Sequence, residues 1–223
     1  MLRVSSLKNV VIVGAGGLGR GVLELFKDLN RVSREWEILG FVDDTASLQG
    51  KEVNKMPVLG GVDWLIENKD GVGCVVAIGD PQFKRKVVEK LEQNDVTFYN
   101  AIHPSVIRSE FVTFGKGVII TAGVIVNVNT VIADHVCVHF NSTIGHDAVI
   151  EKYCSIMPNV TISGNDIIGK YSYIGAGATI IEMVKIGSNS TIGAGAVVIN
   201  DIPDNVVAVG VPAKIVKDKE NLS

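Results

Sequence analysis

The sequence predicts two domains of different class. A small Rossmann-like α/β domain with a parallel sheet spans residues 1–101, a parallel β-helix of hexapeptide repeats spans 102–204, and a cap and tail occupy 205–223. Three observations predict this. Strand-like and helix-like segments alternate through the first hundred residues, Gly14, Gly16 and Gly19 spell G-x-G-x-x-G where a strand gives way to a helix, and a six-residue register runs unbroken from Ile102 onward.

In the first domain, "NVVIVGAGG" from Asn9 is a continuous apolar strand ending in glycines. Leu18, Val22, Leu25, Phe26 and Leu29 then recur as a helical stripe. "WEILGFVDD" is a second strand closing on Asp43 and Asp44, "VDWLIEN" a short helix and "GCVVAIGD" a third strand. "PQFKRKVVEKLEQN" is a helix that Pro81 opens at a favoured first position. The glycine spacing is the dinucleotide fingerprint, in which small residues let backbone N–H groups approach a phosphate at a helix N-terminus. About a hundred residues leave no room for the second half of a dinucleotide fold, so the pattern alone does not name the ligand. The two aspartates read equally well as a turn after a strand.

The second domain has another grammar. Stepping by six from Ile102 gives seventeen residues to Val198, all large and apolar except Arg108. Four positions after each comes a small or β-branched residue such as Val106, Thr130, Ser142, Ala148 and Cys154, with Asp166 out of character. One large and one small inward residue per hexad marks a solenoid in which three hexads make one triangular coil. Five coils at the spacing of neighbouring strands give a prism roughly 25 Å tall. Glycines 115, 145, 169, 175, 187 and 193 directly follow the large residue, where a tight corner is expected. The low aromatic content of 6% fits a narrow aliphatic interior.

A net charge of −3 with no basic stripe argues against nucleic acid and anionic membranes as partners. No apolar run reaches the length of a membrane span, and the start "MLRVSSLKN" has no apolar signal core. The three cysteines are not in metal-ligand pairs, so reduced thiols and a cytoplasmic location are expected.

The segments "VIVGAGGLGRGV", "GFVDD", "PVLGGVDWL", "AIHPS", "NSTIGHDAVIEKY", "IGAGATI", "IGAGAVV" and "VGVPAKIV" cover nearly the whole chain in order. Together they resemble the hexapeptide-repeat sugar acetyltransferases, which include sialic-acid O-acetyltransferases and UDP-amino-sugar N-acetyltransferases. The resemblance implies a left-handed β-helix, acetyl-CoA as cosubstrate without a metal, a nucleotide-linked sugar as acceptor, and a homotrimer. It implies that His146 is a general base with Asp147 as its partner. Gly14, Ala15, Gly16, Asp43, Asp44 and Gly60 would hold the sugar nucleotide. Ala176 and Ala194 would touch the cofactor. Some relatives carry a histidine at the cofactor thioester nine residues after the base, and here that position is Ser155. The partner of the base is Asp where some relatives have Glu.

A neutral imidazole can take a proton from an attacking amine or hydroxyl, and an adjacent carboxylate fixes its tautomer. His146 is the second residue after inward Ile144, which places it on an outward corner. A corner also tolerates a merely solvated histidine, so spacing alone leaves both readings open. The expected activity is N-acetylation of a nucleotide-linked amino sugar. Alternatives are O-acetylation of sialic acid or another sugar hydroxyl, and a non-enzymatic, nucleotide-binding trimeric scaffold. A zinc site built from His135, His139 and His146 is disfavoured because the three do not share a corner.

Overall fold

The structure, a computed structural model, describes residues 7–219; the entry segment 1–6 and the last residues of the tail, 220–223, lie outside it. The first domain follows the expected alternation. Strand β1 (Lys8–Val13) leads into helix α1 (Gly17–Val32), followed by β2 (Trp36–Val42). A hairpin of β3 (Glu52–Val53) and β4 (Met56–Gly60) precedes α2 (Val62–Glu67), β5 (Val72–Val76), α3 (Pro81–Glu92) and β6 (Thr97–Phe98). The spatial order is β3-β4-β2-β1-β5-β6, parallel except for the β3–β4 hairpin. β4 is the strand that the sequence pattern hides: Pro57 and the glycines after Leu59 disguise a five-residue run.

β1 is buried on both faces, as a central parallel strand should be, with Val10, Val11 and Ile12 fully enclosed. Leu23 and Phe26 of α1 bury against one face of the sheet, and Val88 and Leu91 of α3 serve the other. Gly19 makes the α1–β1 approach possible, because a Cβ there would lie 1.8 Å from the Gly14 carbonyl oxygen.

From Ala101 the chain winds into a left-handed parallel β-helix of two-residue strands. Residues pair with those eighteen positions on, as Thr143 with Thr161 and Ile144 with Ile162. Three faces result. The first carries Ile119–Ile120, Cys137–Val138, Ser155–Ile156 and Tyr173–Ile174; the second carries Ile125–Val126, Thr143–Ile144 and Thr161–Ile162; the third carries Val131–Ile132, Val149–Ile150 and Ile167–Ile168. The inward column from Ile120 to Ile192 forms one continuous aliphatic core. An antiparallel hairpin, Val206–Val209 with Lys214–Asp218, closes the first face.

The corner glycines act differently from the expectation. The left-handed backbone falls on the third residue after the inward one, as at Asn129, Asn141, Asp147, Asn159 and Asn165, all near φ 56–59°. Short polar side chains tolerate that region. The glycines directly after the inward residue instead allow coils to stack: a Cβ on Gly145 would lie 2.4 Å from the Ser163 carbonyl carbon, and one on Gly175 would lie 2.5 Å from the Ala194 nitrogen.

The two domains share a core. Ala101, Ile119 and Cys137 of the first face pack in the same cluster as Ile12, Phe26 and Val75. At the third-to-first corner His135, Tyr153 and Tyr171 stack with centroids 5.4 and 5.3 Å apart, and Phe98 meets His135 edge-on. The small domain therefore covers the first face and that corner, leaving the second face and the second-to-third corner turned away from it.

Candidate active site

Two groups of expected residues come together, on opposite sides of the chain. The first surrounds a cavity of about 540 Å³ at the carboxyl ends of β1, β2 and β5, lined in part by Gly14, Gly16, Asp43, Asp44, Gly79 and Phe83. This is the crevice in which open α/β sheets bind ligands. Gly14 sits at φ 98° with its N–H on the Val42 carbonyl, and α1 begins at the cavity edge with Gly16 as its N-cap.

Both aspartates line the cavity and also brace its loops. Asp43 accepts the Ala15 N–H at 2.8 Å and the Thr45 N–H at 2.9 Å. Burial pushes its carboxyl up, but these bonds outweigh burial and hold it below the ordinary range. Asp44 accepts the Val62 N–H at 2.8 Å at the start of α2. Ala15 and Gly60 stand behind the wall: Ala15 is buried and donates to Asp43, and the Gly60 carbonyl accepts the Asp43 N–H.

The second group is at the second-to-third corner of the prism. His146 is half exposed, and its Nδ1 lies 2.8 Å from Asp147 Oδ2. The other oxygen, Oδ1, accepts from Asn129 Nδ2 at 3.0 Å, one coil below. The Asn129 bond first, and the His146 bond second, hold the Asp147 carboxyl below its ordinary value. A charged carboxylate on Nδ1 assigns the proton to that nitrogen and leaves Nε2 as the basic atom. One coil above, Gly164 lies against the ring, so that a Cβ there would come within 2.6 Å of Cε1 and Nε2. Asn129 and Gly164 were not singled out from the sequence, although each lies eighteen residues from the HD pair and one coil's arithmetic would have found them.

Ala176 and Ala194 are exposed and stack one coil apart at the first-to-second corner. The second face, bordered by His146 on one edge and these alanines on the other, is the surface they share.

Ser155 is not with them. Nine residues beyond His146 is one and a half hexads, which turns the position from a corner onto the first face, where the chain's own α/β domain covers it. Its hydroxyl is fully buried, donates to the Gly79 carbonyl at 2.8 Å and accepts from Lys84 Nζ at 3.2 Å. Within the chain Ser155 stands at the contact between the two domains. Lys84 was not foreseen; its ammonium is buried, and that burial lowers its pKa.

The remaining histidines are scattered. His135 is buried in the aromatic stack and burial lowers it to about 4. His139, on the first face with Nε2 3.4 Å from Cys137 Sγ, is also lowered by burial to about 4. His103 bonds Asp28 and Ser105 at the domain junction. Cys74, Cys137 and Cys154 are buried free thiols. Among the described residues no helix is long and apolar enough to cross a membrane.

Known proteins share both domains of this fold. Residues 9–91 match the PglD N-terminal domain family, and residues 129–164 and 167–200 match the bacterial transferase hexapeptide family (six repeats). A search of curated proteins found no significant match. Among solved structures, a variant of perosamine N-acetyltransferase from Caulobacter crescentus, in complex with CoA and GDP-perosamine, is 33% identical with a TM-score of 0.87, over 96% of this chain and 99% of that one. The acetyltransferase domain of PglB from Neisseria gonorrhoeae is 34% identical with a TM-score of 0.86, over 94% and 100%. WeeI from Acinetobacter baumannii is 28% identical with a TM-score of 0.84, over 93% and 99%.

Proposed function

Because the chain belongs to the hexapeptide-repeat sugar acetyltransferases, we propose that it acetylates the amino group of a nucleotide-linked amino sugar, with His146 as general base. That it is an enzyme using acetyl-CoA follows from the family. The observation that carries the finer reading is the Asn129–Asp147–His146 chain, which holds a half-exposed imidazole by Nδ1 and leaves Nε2 as its basic atom. In the proposed step the acceptor nitrogen attacks the thioester carbonyl as Nε2 takes its proton. The new C–N bond forms, the C–S bond breaks, and the imidazolium returns the proton to the departing thiolate. Asp147 stays ionised beside the imidazolium and stabilises its charge.

In this reading the sugar nucleotide sits in the α/β cavity, its phosphates toward the N-terminus of α1 between Gly14 and Gly16. Asp43 and Asp44 lie beside the acceptor nucleotide, with Ala15 and Gly60 shaping the loops. Acetyl-CoA lies along the second face, between His146 and the Ala176–Ala194 edge. The base and the cavity do not meet within one chain, since the α/β domain covers the first face and His146 stands on the opposite corner. A homotrimer supplies the missing half by packing the second face of one chain against the next, in the manner of closed cyclic oligomers. The proposed location is the cytoplasm, where thiols stay reduced.

The test is thiol release from acetyl-CoA across UDP-, GDP- and dTDP-linked amino sugars and free sialic acid, wild type beside His146→Ala. Release with an amino sugar, falling ~10²–10⁴-fold in the variant with assembly intact, is expected. Release with sialic acid alone would replace N- by O-acetylation, and near-normal activity in the variant would sink the assignment of the base.

A further inference from the structure

Gly79 is the residue at which the prism takes hold of the cavity wall. It follows β5, lines the cavity, and precedes Asp80, whose carboxylate caps α3 by accepting the Phe83 N–H at 2.7 Å. Phe83 and Val87, on the same helix, line the cavity too. The Gly79 carbonyl accepts the Ser155 hydroxyl at 2.8 Å, so the wall is bonded to a strand of the β-helix seventy-six positions away.

The Gly79 carbonyl can only accept, so the Ser155 hydroxyl is the donor of this bond, and Lys84 holds the acceptor side of that hydroxyl. An ammonium can only donate, and Lys84 Nζ donates to the Cys154 carbonyl at 3.3 Å and to Ser155 Oγ at 3.2 Å. Ser155 Oγ thus accepts from Lys84 while its single proton goes to Gly79, and the two bonds together fix the rotation of the hydroxyl. A trans peptide sets its carbonyl and the following N–H antiparallel, so the anchored Gly79 carbonyl turns the Asp80 N–H away from the prism. Burying an ammonium among neutral acceptors is costly, and an apolar side chain would pack there more cheaply. What the lysine supplies that an apolar side chain would not is a fixed orientation. Gln82 reinforces the same helix, donating to Asn189 of the prism at 3.0 Å.

We propose that Ser155 and Lys84 are positioning residues for the nucleotide-linked substrate. Through them the β-helix holds the Gly79 wall and the Phe83 face of α3 at the height the nucleotide requires, so substrate affinity depends on the docking of one domain on the other. The proposal rests on the assignment of the α/β cavity to the sugar nucleotide.

The experiment measures calorimetric binding of UDP, GDP and dTDP to the full-length protein, alongside KM and kcat for both substrates, in wild type, Ser155→Ala and Lys84→Met. Loss of one oriented hydrogen bond predicts about tenfold weaker nucleotide binding in both variants. The KM for the nucleotide-linked sugar rises in step, while the KM for acetyl-CoA stays within twofold of wild type. A purely structural role would lower the melting temperature without this split between substrates. Folded variants that bind nucleotide as wild type does overturn the proposal, as does a rise confined to the acetyl-CoA KM, which would return Ser155 to the cofactor. Wild type that binds none of the nucleotides overturns the cavity assignment itself, a result distinct from either.

Discussion

The Gly164 backbone lies so close to the His146 ring that a single added methyl group would collide with it at 2.6 Å from both Cε1 and Nε2. Gly164→Ala is accordingly expected to push the imidazole off the position that Asp147 sets. Displacement of about 1 Å at a reacting group costs on the order of 10²-fold in rate. The variant should lose kcat on that scale and keep its melting temperature near wild type, because the exposed ring can move. Unaltered kcat would mean that the ring is not poised by this contact.

Asp147 is the link between the His146 ring and the coil below. Asp147→Ala removes both the Nδ1 acceptor and the Asn129 bond, and Asn129→Ala removes only the second. Activity should fall in the order Asn129→Ala, Asp147→Ala, His146→Ala. Kinetics of the three variants at one pH settle the order, and equal losses in all three would show that the carboxylate does not act through orientation.

Complementation between chains follows from the placement of cavity and base on opposite sides of the protomer. His146→Ala retains an intact cavity, and Asp43→Ala retains an intact base. In the proposed trimer, mixing the two should recover roughly a quarter of wild-type sites, since half of the proposed bases and half of the cavities are sound. Unfolding and refolding the variants together, then assaying thiol release, checks this. No recovery in refolded mixtures would place base and cavity in the same chain.

Asp166 predicts a pH effect on stability. It occupies an inward position, is fully buried, and accepts the Ser163 and Val184 N–H groups at 2.9 Å each. Burial raises its carboxyl to about 6 against an ordinary 3.8, the two bonds only partly opposing. The folded state therefore holds the proton more tightly than the unfolded chain. This contribution is present below about pH 4 and is lost as pH rises to 6. Denaturation of wild type and Asp166→Asn across that interval should show wild type losing ground relative to the variant, whereas parallel profiles would contradict it.

Two glycines separate stacking from backbone strain. On Gly175 a Cβ would meet the Ala194 nitrogen and the Gly193 carbonyl carbon within 2.7 Å, so Gly175→Ala should cost roughly 1–3 kcal/mol by forcing coils apart. Gly177 is at φ 68° with open space around it, and Gly177→Ala should cost only about 1–2 kcal/mol of left-handed strain. Urea unfolding midpoints compare them, and a larger loss at Gly177 would reverse the argument.

Much of this molecule is local and so was legible in the chain. The six-residue register fixed which residues point inward, because a parallel coil repeats its side-chain directions every hexad; Asp166 was visible as the misfit, though its burial between two N–H donors was not. The same register put His146 and Asp147 on an outward corner, and glycine spacing located the cavity around Gly14 and Gly16. Asn129 and Gly164 were reachable by adding or subtracting one coil. β4 was not, since Pro57 and the neighbouring glycines break the apolar run that marks a strand.

The sequence by itself determined the two folds, the family, the inward and outward sides of every hexad, and the adjacency of His146 and Asp147. Only the tertiary structure decided which outer face of the prism is covered. That choice belongs to the packing of α1 and α3 against Ile119, Cys137 and Tyr153, a contact between distant segments that no repeat encodes. It placed Ser155 in the buried seam between the domains, and it set the cavity and His146 on opposite sides of the chain. Repeats specify direction through short-range geometry; the docking of one domain on another is specified by complementary surfaces that exist only once both have folded.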